Sequence, residues 1–132
     1  MAFGGSSIMD RNYYKKMLEK NRLIPFYHDG KLKAIITFYI TNDDERFIKA
    51  DPWEVLDDEE DGFICYVAQY IVDKKFKSYK YSFQILRDFK DYLKNNFCNV
   101  KKMRWNRWKN NKIYTFCLNI KKNEKEKIYY RT

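Results

Sequence analysis

A ten-residue uncharged run, FICYVAQYIV at residues 63–72, constrains the fold of this chain more than any other feature. Its apolar residues fall on both faces of an extended segment, which is typical of a central strand covered on both sides. Apolar side chains then recur at helical spacing over residues 81–96. A buried strand that leads into a helix predicts a mixed α/β, or α+β, domain built around a sheet.

A helix and a hairpin are predicted before that strand. Residues 10–22 have a helical pattern, which Pro25 cannot continue. Two β-branched and aromatic runs follow at 24–28 and 31–41. They flank Asp29-Gly30, a dipeptide typical of a two-residue hairpin turn because both turn residues need a positive φ.

The remaining segments complete a mainly antiparallel sheet in a single domain of 132 residues. Residues 42–62 are predicted to form a loop, and two further strands are predicted at 100–106 and 113–121. The ends of the chain, residues 1–9 and 123–132, are predicted to be flexible.

The counts of cysteine and histidine disfavour several kinds of site. Cys65, Cys98 and Cys117 are odd in number and far apart in sequence, so a disulfide framework or a thiolate zinc site is not expected. His28 is the single histidine, which leaves little for a histidine metal site or a serine-type triad. No uncharged run approaches the roughly 18 residues of a membrane span, and the N-terminus lacks a signal-peptide pattern. A cytoplasmic location is therefore expected, without a membrane partner.

Charge is divided unequally along the chain, whose net charge is +9. Residues 1–72 carry 9 basic and 13 acidic side chains, whereas residues 73–132 carry 18 and 5. A basic half of this size attracts nucleic acid, a phosphorylated ligand or an acidic protein surface, and the alternative is a solvated lysine-rich surface. Within the acidic part, residues 51–61 hold seven carboxylates and no base.

The segment between the central strand and the following helix predicts an anion site. Residues 73–82 contain four lysines and two serines but no glycine. A helix N-terminus offers unpaired N–H donors and the positive end of its dipole, so phosphates are favoured there. An ordinary connection with solvated lysines is the alternative.

At these residues the chain resembles the GNAT superfamily of acyl-CoA-dependent N-acyltransferases. The hairpin at 25–36 looks like the family's second and third strands, and residues 66–73 look like its fourth. The family's pyrophosphate motif, Gln/Arg-x-x-Gly-x-Gly/Ala, falls on residues 77–82, where Lys77 stands for the first residue but Lys80 and Ser82 replace the small ones. The resemblance implies a GNAT-like fold.

The resemblance continues to residue 120 and is greatest to the short, divergent GNAT-like proteins of bacteriophages, which would place the protein in a host cytoplasm. Residues 103–106 look like the fifth strand, which ends at Asn106, as is frequent in the family. The family's fourth helix is reduced to residues 107–112. The degraded motif leaves open whether the chain is a catalyst.

As implied by the resemblance, the chain is an N-acetyltransferase that transfers an acyl group from acetyl-CoA to a small-molecule or protein amine. The expected general bases are Glu59, Glu60 and Asp61, and the expected general acid is Tyr114. The expected cofactor-binding residues are Tyr70, Ile71, Val72, Lys77, Ser78, Tyr79, Lys80, Tyr81, Ser82 and Asn106.

A second hypothesis is a non-catalytic binding protein of the same fold, possessing a basic C-terminal half that binds nucleic acid or an acidic protein. Aromatic and basic residues alternate at 105–109, a pattern that can stack on and neutralise single-stranded nucleic acid. The alternative for Trp105 and Trp108 is packing within a core.

Overall fold

A computed structural model describes residues 7–51, 53–73, 75, 79–110, 112–120 and 128–131. The fold is α+β, with helices on a mixed sheet. The helices are α1 (Ser7–Glu19), α2 (Glu45–Lys49) and α3 (Tyr79–Asn96). The strands are β1 (Leu23–His28), β2 (Lys31–Thr41), β3 (Ile64–Val72), β4 (Lys102–Lys109), β5 (Lys112–Asn119) and β6 (Ile128–Arg131).

The sheet is six-stranded, and its strands are ordered as in the sequence, β1 to β6. Every neighbouring pair is antiparallel except β3 and β4, which are parallel. A parallel pair needs a crossover connection, and α3 supplies it. The prediction of a mainly antiparallel sheet with one helix before it and one crossing it is therefore confirmed.

Two hydrophobic clusters cover the two faces of the sheet. On the α3 face, Phe38 and Phe89 are fully buried with their ring centroids 5.3 Å apart. On the opposite face, Tyr13 and Met17 of α1 and Phe47 of α2 pack against the sheet. Coverage on both sides explains why β3 is apolar throughout its length.

The two hairpin turns follow from their sequences. Asp29 and Gly30 have φ values of 52° and 75°, so the turn between β1 and β2 is built as Asp-Gly predicts. Asn110 has a φ of 52° and begins the turn between β4 and β5. Because β4 extends to Lys109 and β5 begins at Lys112, the described residues of 107–112 do not form the predicted short helix.

Two other segments differ from the sequence-based expectation. Part of the predicted loop at 42–62 forms the short helix α2, which buries Phe47. Ile128–Arg131 forms β6 along the edge of β5, instead of belonging to a flexible end, because its β-forming residues complete backbone hydrogen bonds there. Residues 1–6 and 121–127 lie outside the described residues.

The acidic loop is held by bases of the protein itself. Asp57 accepts a 2.9 Å bond from Lys20, Asp58 is paired with Arg22, and Glu59 lies 3.1 Å from Arg46. Part of the negative charge at 51–61 is therefore neutralised within the fold.

Candidate functional site

The parallel strands β3 and β4 separate soon after they begin. Only three residue pairs join them, from Ile64–Lys102 to Tyr66–Arg104. Beyond the last pair, β3 continues over residues 67–72 and β4 over residues 105–109. In the described part of the chain, no strand pairs with either of these facing edges, so their backbone N–H and C=O groups are available to another partner. We call this opening the β3–β4 gap.

A β-bulge lies in β3 where the gap begins. Thr37 pairs with Gln69 and Phe38 with Val67, so Ala68 is an extra residue on β3. A bulge bends its strand and increases the local twist, which turns the following residues away from a neighbour. Gln69 is buried at the bulge and accepts a 2.9 Å hydrogen bond from the hydroxyl of Tyr14. Helix α1 therefore supports the bend in β3.

A row of side-chain hydrogen bonds closes the inner end of the gap. Asn106 of β4 is hydrogen-bonded to Tyr66 of β3, and its Oδ1 accepts a 2.8 Å bond from the hydroxyl of Thr115 on β5. Burial raises the pKa of Tyr66, which the bond with Asn106 partly opposes. Asn106, predicted to bind the cofactor, thus links three strands at the point where β3 and β4 separate.

A buried carboxylate packs beside this row. Asp44, at the start of α2, lies 3.3 Å from Nη1 of Arg104. Its Oδ2 has no hydrogen-bond partner among the described residues. Arg104 and Tyr66 form the last pair of the parallel ladder, so this contact fastens the 42–62 segment to the inner end of the gap.

The open end of the gap is rich in bases. Because β2 is antiparallel to β3 and β4 is parallel to it, the start of β2 and the ends of β3 and β4 meet at one end of the sheet. We call it the basic end. Among the side chains that the structure describes there, the acids are Asp29 and Asp73 and the bases are Lys31, Lys33, Lys75 and Lys112. At the basic end, the carboxylate of Asp73 accepts a hydrogen bond from the backbone N–H of Lys75, and this bond lowers the pKa of Asp73.

The acidic loop lies at the other end of the sheet. Glu60 and Asp61 precede β3, and the carbonyl of Asp61 accepts a bond from Asn99, which follows α3. β3 begins only at Ile64, so the gap at Val67 starts three strand residues, or roughly 10 Å, farther along. Glu60 and Asp61 precede β3, and the N–H of Glu59 donates to the carbonyl of Ile40 on β2. All three therefore lie at the paired end of the β3–β4 ladder and not along the open part of the gap.

The predicted acid, Tyr114, lies on β5, and Trp105 lies on β4, the strand that borders the gap on that side. Tyr114 of β5 pairs with Arg107, so it stands level with the unpaired part of β4. Trp105 stacks on Phe116, with centroids 5.4 Å apart and planes at 9°, and it packs against the core on the α3 face. Trp105 is thus a packing residue, although it borders the gap.

The predicted cofactor residues at the end of β3 divide into three groups. Tyr70, Ile71 and Val72 belong to the β3 edge of the gap. Tyr79 and Lys80 begin α3, while Lys77 and Ser78 lie outside the described residues.

The last two predicted residues of this segment, Tyr81 and Ser82, contact different strands. Ser82 is hydrogen-bonded to Tyr70, whose pKa is raised by burial despite that bond. Tyr81 packs against His28 of the hairpin, with ring centroids 5.4 Å apart, so it stands on the β1 side of α3 and away from the gap.

Sequence reasoning missed Tyr14, Asp44, Tyr66 and Arg104 as residues that shape this region. Tyr14 contacts Gln69, which is 55 positions away, and Asp44 contacts Arg104, which is 60 positions away. The role of Tyr66 depends on how far the parallel ladder extends. The bend in β3 and the length of the β3–β4 ladder cannot be predicted from a local sequence pattern. The one available signal was Gln69, a polar residue within the otherwise apolar strand β3.

Comparisons with protein-family models, with curated proteins and with solved structures give no match for this chain. Among the described residues, no helix is long and apolar enough to cross a membrane. Nor does that part of the chain contain a group of three or more His, Cys, Asp or Glu side chains able to hold a metal ion.

Proposed function

We propose that this protein is a GNAT-like N-acyltransferase that takes an acyl group, such as acetyl, from an acyl-pantetheine donor and transfers it to an amine. The observation that carries the proposal is the early end of the β3–β4 ladder at Tyr66–Arg104. Two strand edges then face each other without pairing, at the position where the sequence resembles the donor site of that family.

The chemistry of the donor fits such a gap. Pantetheine is an extended arm with amide groups, and the amide groups can exchange hydrogen bonds with the unpaired edge of a strand. In β3 these are the backbone groups of residues 67–72, including Tyr70, Ile71 and Val72. The neighbouring side chains are apolar on the α3 face, among them Val67 and Trp105, and would cover the hydrocarbon parts of the arm.

The charge distribution supports an orientation in which the nucleotide of acetyl-CoA lies at the open end of the gap. Acetyl-CoA is strongly anionic at its nucleotide end, and the gap opens at the basic end of the sheet. Lys75 and Lys112 are exposed there, and the first residues of α3 offer N–H donors at the positive end of an 18-residue helix. The acidic loop would repel phosphates from the opposite end.

The proposed reaction is a direct transfer. The amine nitrogen forms a bond to the thioester carbonyl carbon, the C–S bond breaks, and the nitrogen loses a proton. Backbone N–H groups of the β3 edge would stabilise the negative charge that develops on the carbonyl oxygen. Tyr114 of β5, paired with Arg107 in the unpaired part of β4, is the candidate donor of a proton to the leaving thiolate.

Isothermal titration with acetyl-CoA at low salt tests the proposal, with desulfo-CoA as the comparison ligand. We expect saturable one-to-one binding of micromolar affinity that weakens as salt is raised, because phosphates meet lysines. The variant for the phosphate end is Lys77→Glu/Lys80→Glu, which should abolish binding without lowering the melting temperature.

Exposed lysines outside the basic end provide a matched control. Lys15→Glu/Lys101→Glu makes the same change of charge and should leave the affinity for acetyl-CoA unchanged. No heat of binding from a folded sample would refute the proposed donor site. Unchanged affinity in the Lys77/Lys80 variant would remove the phosphate assignment alone.

A second candidate is a binding protein of this architecture without catalysis. It is favoured by the glycine-free segment at 73–82, which cannot approach a pyrophosphate as closely as a glycine-rich one. Its signature would be binding of a single-stranded oligonucleotide with a steep salt dependence and no response to acetyl-CoA.

A further inference from the structure

The basic end also carries most of the exposed apolar surface. Among the described residues, six large apolar side chains are exposed, and four of them lie at this end of the sheet. Tyr27 and Leu32 face each other across the hairpin, Tyr70 is two residues from the end of β3, and Phe83 follows the first turn of α3. Tyr27 is 66% exposed and Phe83 is 61% exposed. Apolar residues surrounded by bases are typical of a protein-binding surface.

This surface is wider than a nucleotide requires. It extends from Tyr27 on β1 to Lys112 on β5, across three paired-strand spacings, or roughly 14 Å, together with the unpaired gap between β3 and β4. The β3–β4 gap opens in its middle. Lys31 lies three residues beyond the Ala34–Val72 pair, on the side of β3 that faces away from the gap. A ligand confined to the gap would therefore leave the hairpin untouched.

We propose that the acyl donor is presented by an acidic carrier protein, which docks on the basic end and inserts its acyl-phosphopantetheine arm into the β3–β4 gap. This inference rests on the proposed function and specifies its donor. The carrier's carboxylates would meet Lys31, Lys75 and Lys112, and its apolar residues would cover Tyr27, Leu32 and Phe83.

The segment at 73–82 is consistent with such a donor. A carrier-bound arm is attached through a single phosphodiester, whereas CoA carries a pyrophosphate that needs close backbone approach. Lys75, an exposed base of the segment, can neutralise one phosphate without a glycine beside it. The transfer is the same as from acetyl-CoA. The amine nitrogen bonds to the acyl carbon, the C–S bond breaks, and the proton lost by the nitrogen ends on the thiol of the released arm.

The test compares four probes on the full chain by isothermal titration. They are an acidic acyl carrier protein bearing an acetyl-phosphopantetheine arm, the same carrier without the arm, acetyl-CoA, and a single-stranded oligonucleotide. We expect the acetylated carrier to bind at least tenfold more tightly than acetyl-CoA. The carrier without its arm should bind more weakly than the loaded one.

The variant Tyr27→Ser/Lys31→Glu alters the hairpin, away from the gap. It should weaken binding of the acetylated carrier about tenfold or more and leave the affinity for acetyl-CoA unchanged. Its matched control is Leu18→Ser/Lys15→Glu, which removes an exposed leucine and reverses an exposed lysine on α1. This control should bind both donors as the native chain does.

The possible results separate the two proposals. If acetyl-CoA binds as tightly as the carrier and the hairpin variant binds both normally, the carrier inference is overturned and the acyltransferase proposal stands. If neither acyl donor binds to the folded chain, both are overturned. Tight, salt-sensitive binding of the oligonucleotide without binding of the carrier would identify the basic end as a nucleic-acid surface and overturn the carrier inference.

Discussion

Arg22 and Asp58 form a two-bond ion pair in the interior, with Nε 2.8 Å from Oδ2 and Nη2 3.2 Å from Oδ1. Their side chains are only 5% and 6% exposed. Oδ2 of Asp58 also accepts the N–H of Ile40 at 2.7 Å, and the guanidinium lies 5.1 Å from the ring centre of Phe97. One pair thus joins the end of α1, the acidic loop, β2 and the end of α3.

Breaking this pair should be costly. Asp58→Ala leaves the charge of Arg22 buried without a counter-charge, and we expect a loss of about 3–5 kcal/mol in the free energy of unfolding. Urea denaturation measures this loss. The exposed neighbour provides the control, since Asp57→Ala should change stability little. An Asp58→Ala variant as stable as the Asp57→Ala variant would show that the buried pair is not needed.

Gly62 is predicted to tolerate no side chain. A Cβ atom at this position would lie 2.5 Å from the backbone carbonyl carbon of Thr41, which cannot move without shifting β2. We expect Gly62→Ala to lower the free energy of unfolding by about 2 kcal/mol or more. Gly30→Ala is an informative comparison, because the φ of 75° is strained for alanine but the space around the residue is open. A smaller loss at Gly62 than at Gly30 would contradict the steric argument.

The stability of the fold should fall at alkaline pH. Burial raises the pKa of the Cys65 thiol well above its ordinary value of 9.0, and burial also raises the pKa values of Tyr13, Tyr39 and Tyr66 above 10.0. The unfolded chain releases these protons first. The contribution of each group is therefore complete below its unfolded pKa and is lost as pH rises toward the folded pKa, at up to about 1.4 kcal/mol per pH unit.

Denaturant unfolding between about pH 8 and pH 11 measures this slope. Cys65→Ala should make the decline with pH shallower, whatever its effect on stability at neutral pH. Val100→Ala, at a buried position without an ionisable group, should leave the slope as in the native protein. Equal slopes in all three proteins would rule out Cys65 as a contributor.

Asn106 should be required for stability at the inner end of the gap. Asn106→Ala removes its bonds to Tyr66 and Thr115, and we expect a loss of about 1–2 kcal/mol in the free energy of unfolding. Thr115→Val removes one of the two bonds and should cost less. If Asn106→Ala instead weakens binding of acetyl-CoA while stability is unchanged, the sequence-based assignment of Asn106 to the cofactor would be favoured over a structural role.

Local patterns were sufficient for most of the secondary structure. The Asp29-Gly30 turn, the strands around it and the uncharged run of β3 lie within a residue or so of their predicted bounds. Helix α2 and β6 were missed because short elements have little periodicity of their own. They form where neighbouring elements provide contacts, as the rings of Tyr39 and Tyr66 do by stacking with Phe47 of α2.

The site was less predictable than the fold. Residues Tyr70 to Val72 lie on the β3 edge of the gap, as expected for the end of a strand that precedes a helix, and their role in cofactor binding stays a prediction. The carboxylates Glu60 and Asp61 are near β3 in sequence but precede its paired start, at the end of the sheet opposite the basic end. Their role as general bases also stays a prediction, because closeness in sequence does not determine the distance from the gap.

Local sequence patterns are sufficient to identify the main elements, since turn chemistry and hydrophobic periodicity act over a few residues. The concentration of positive charge after residue 72 is also a property of the sequence. The position of the basic and acidic segments at opposite ends of one sheet, and the separation of β3 and β4 after Tyr66–Arg104, arise from the assembled fold. Strand direction, register and bulge position are set by contacts between distant residues, so they arise only when the whole sheet is assembled.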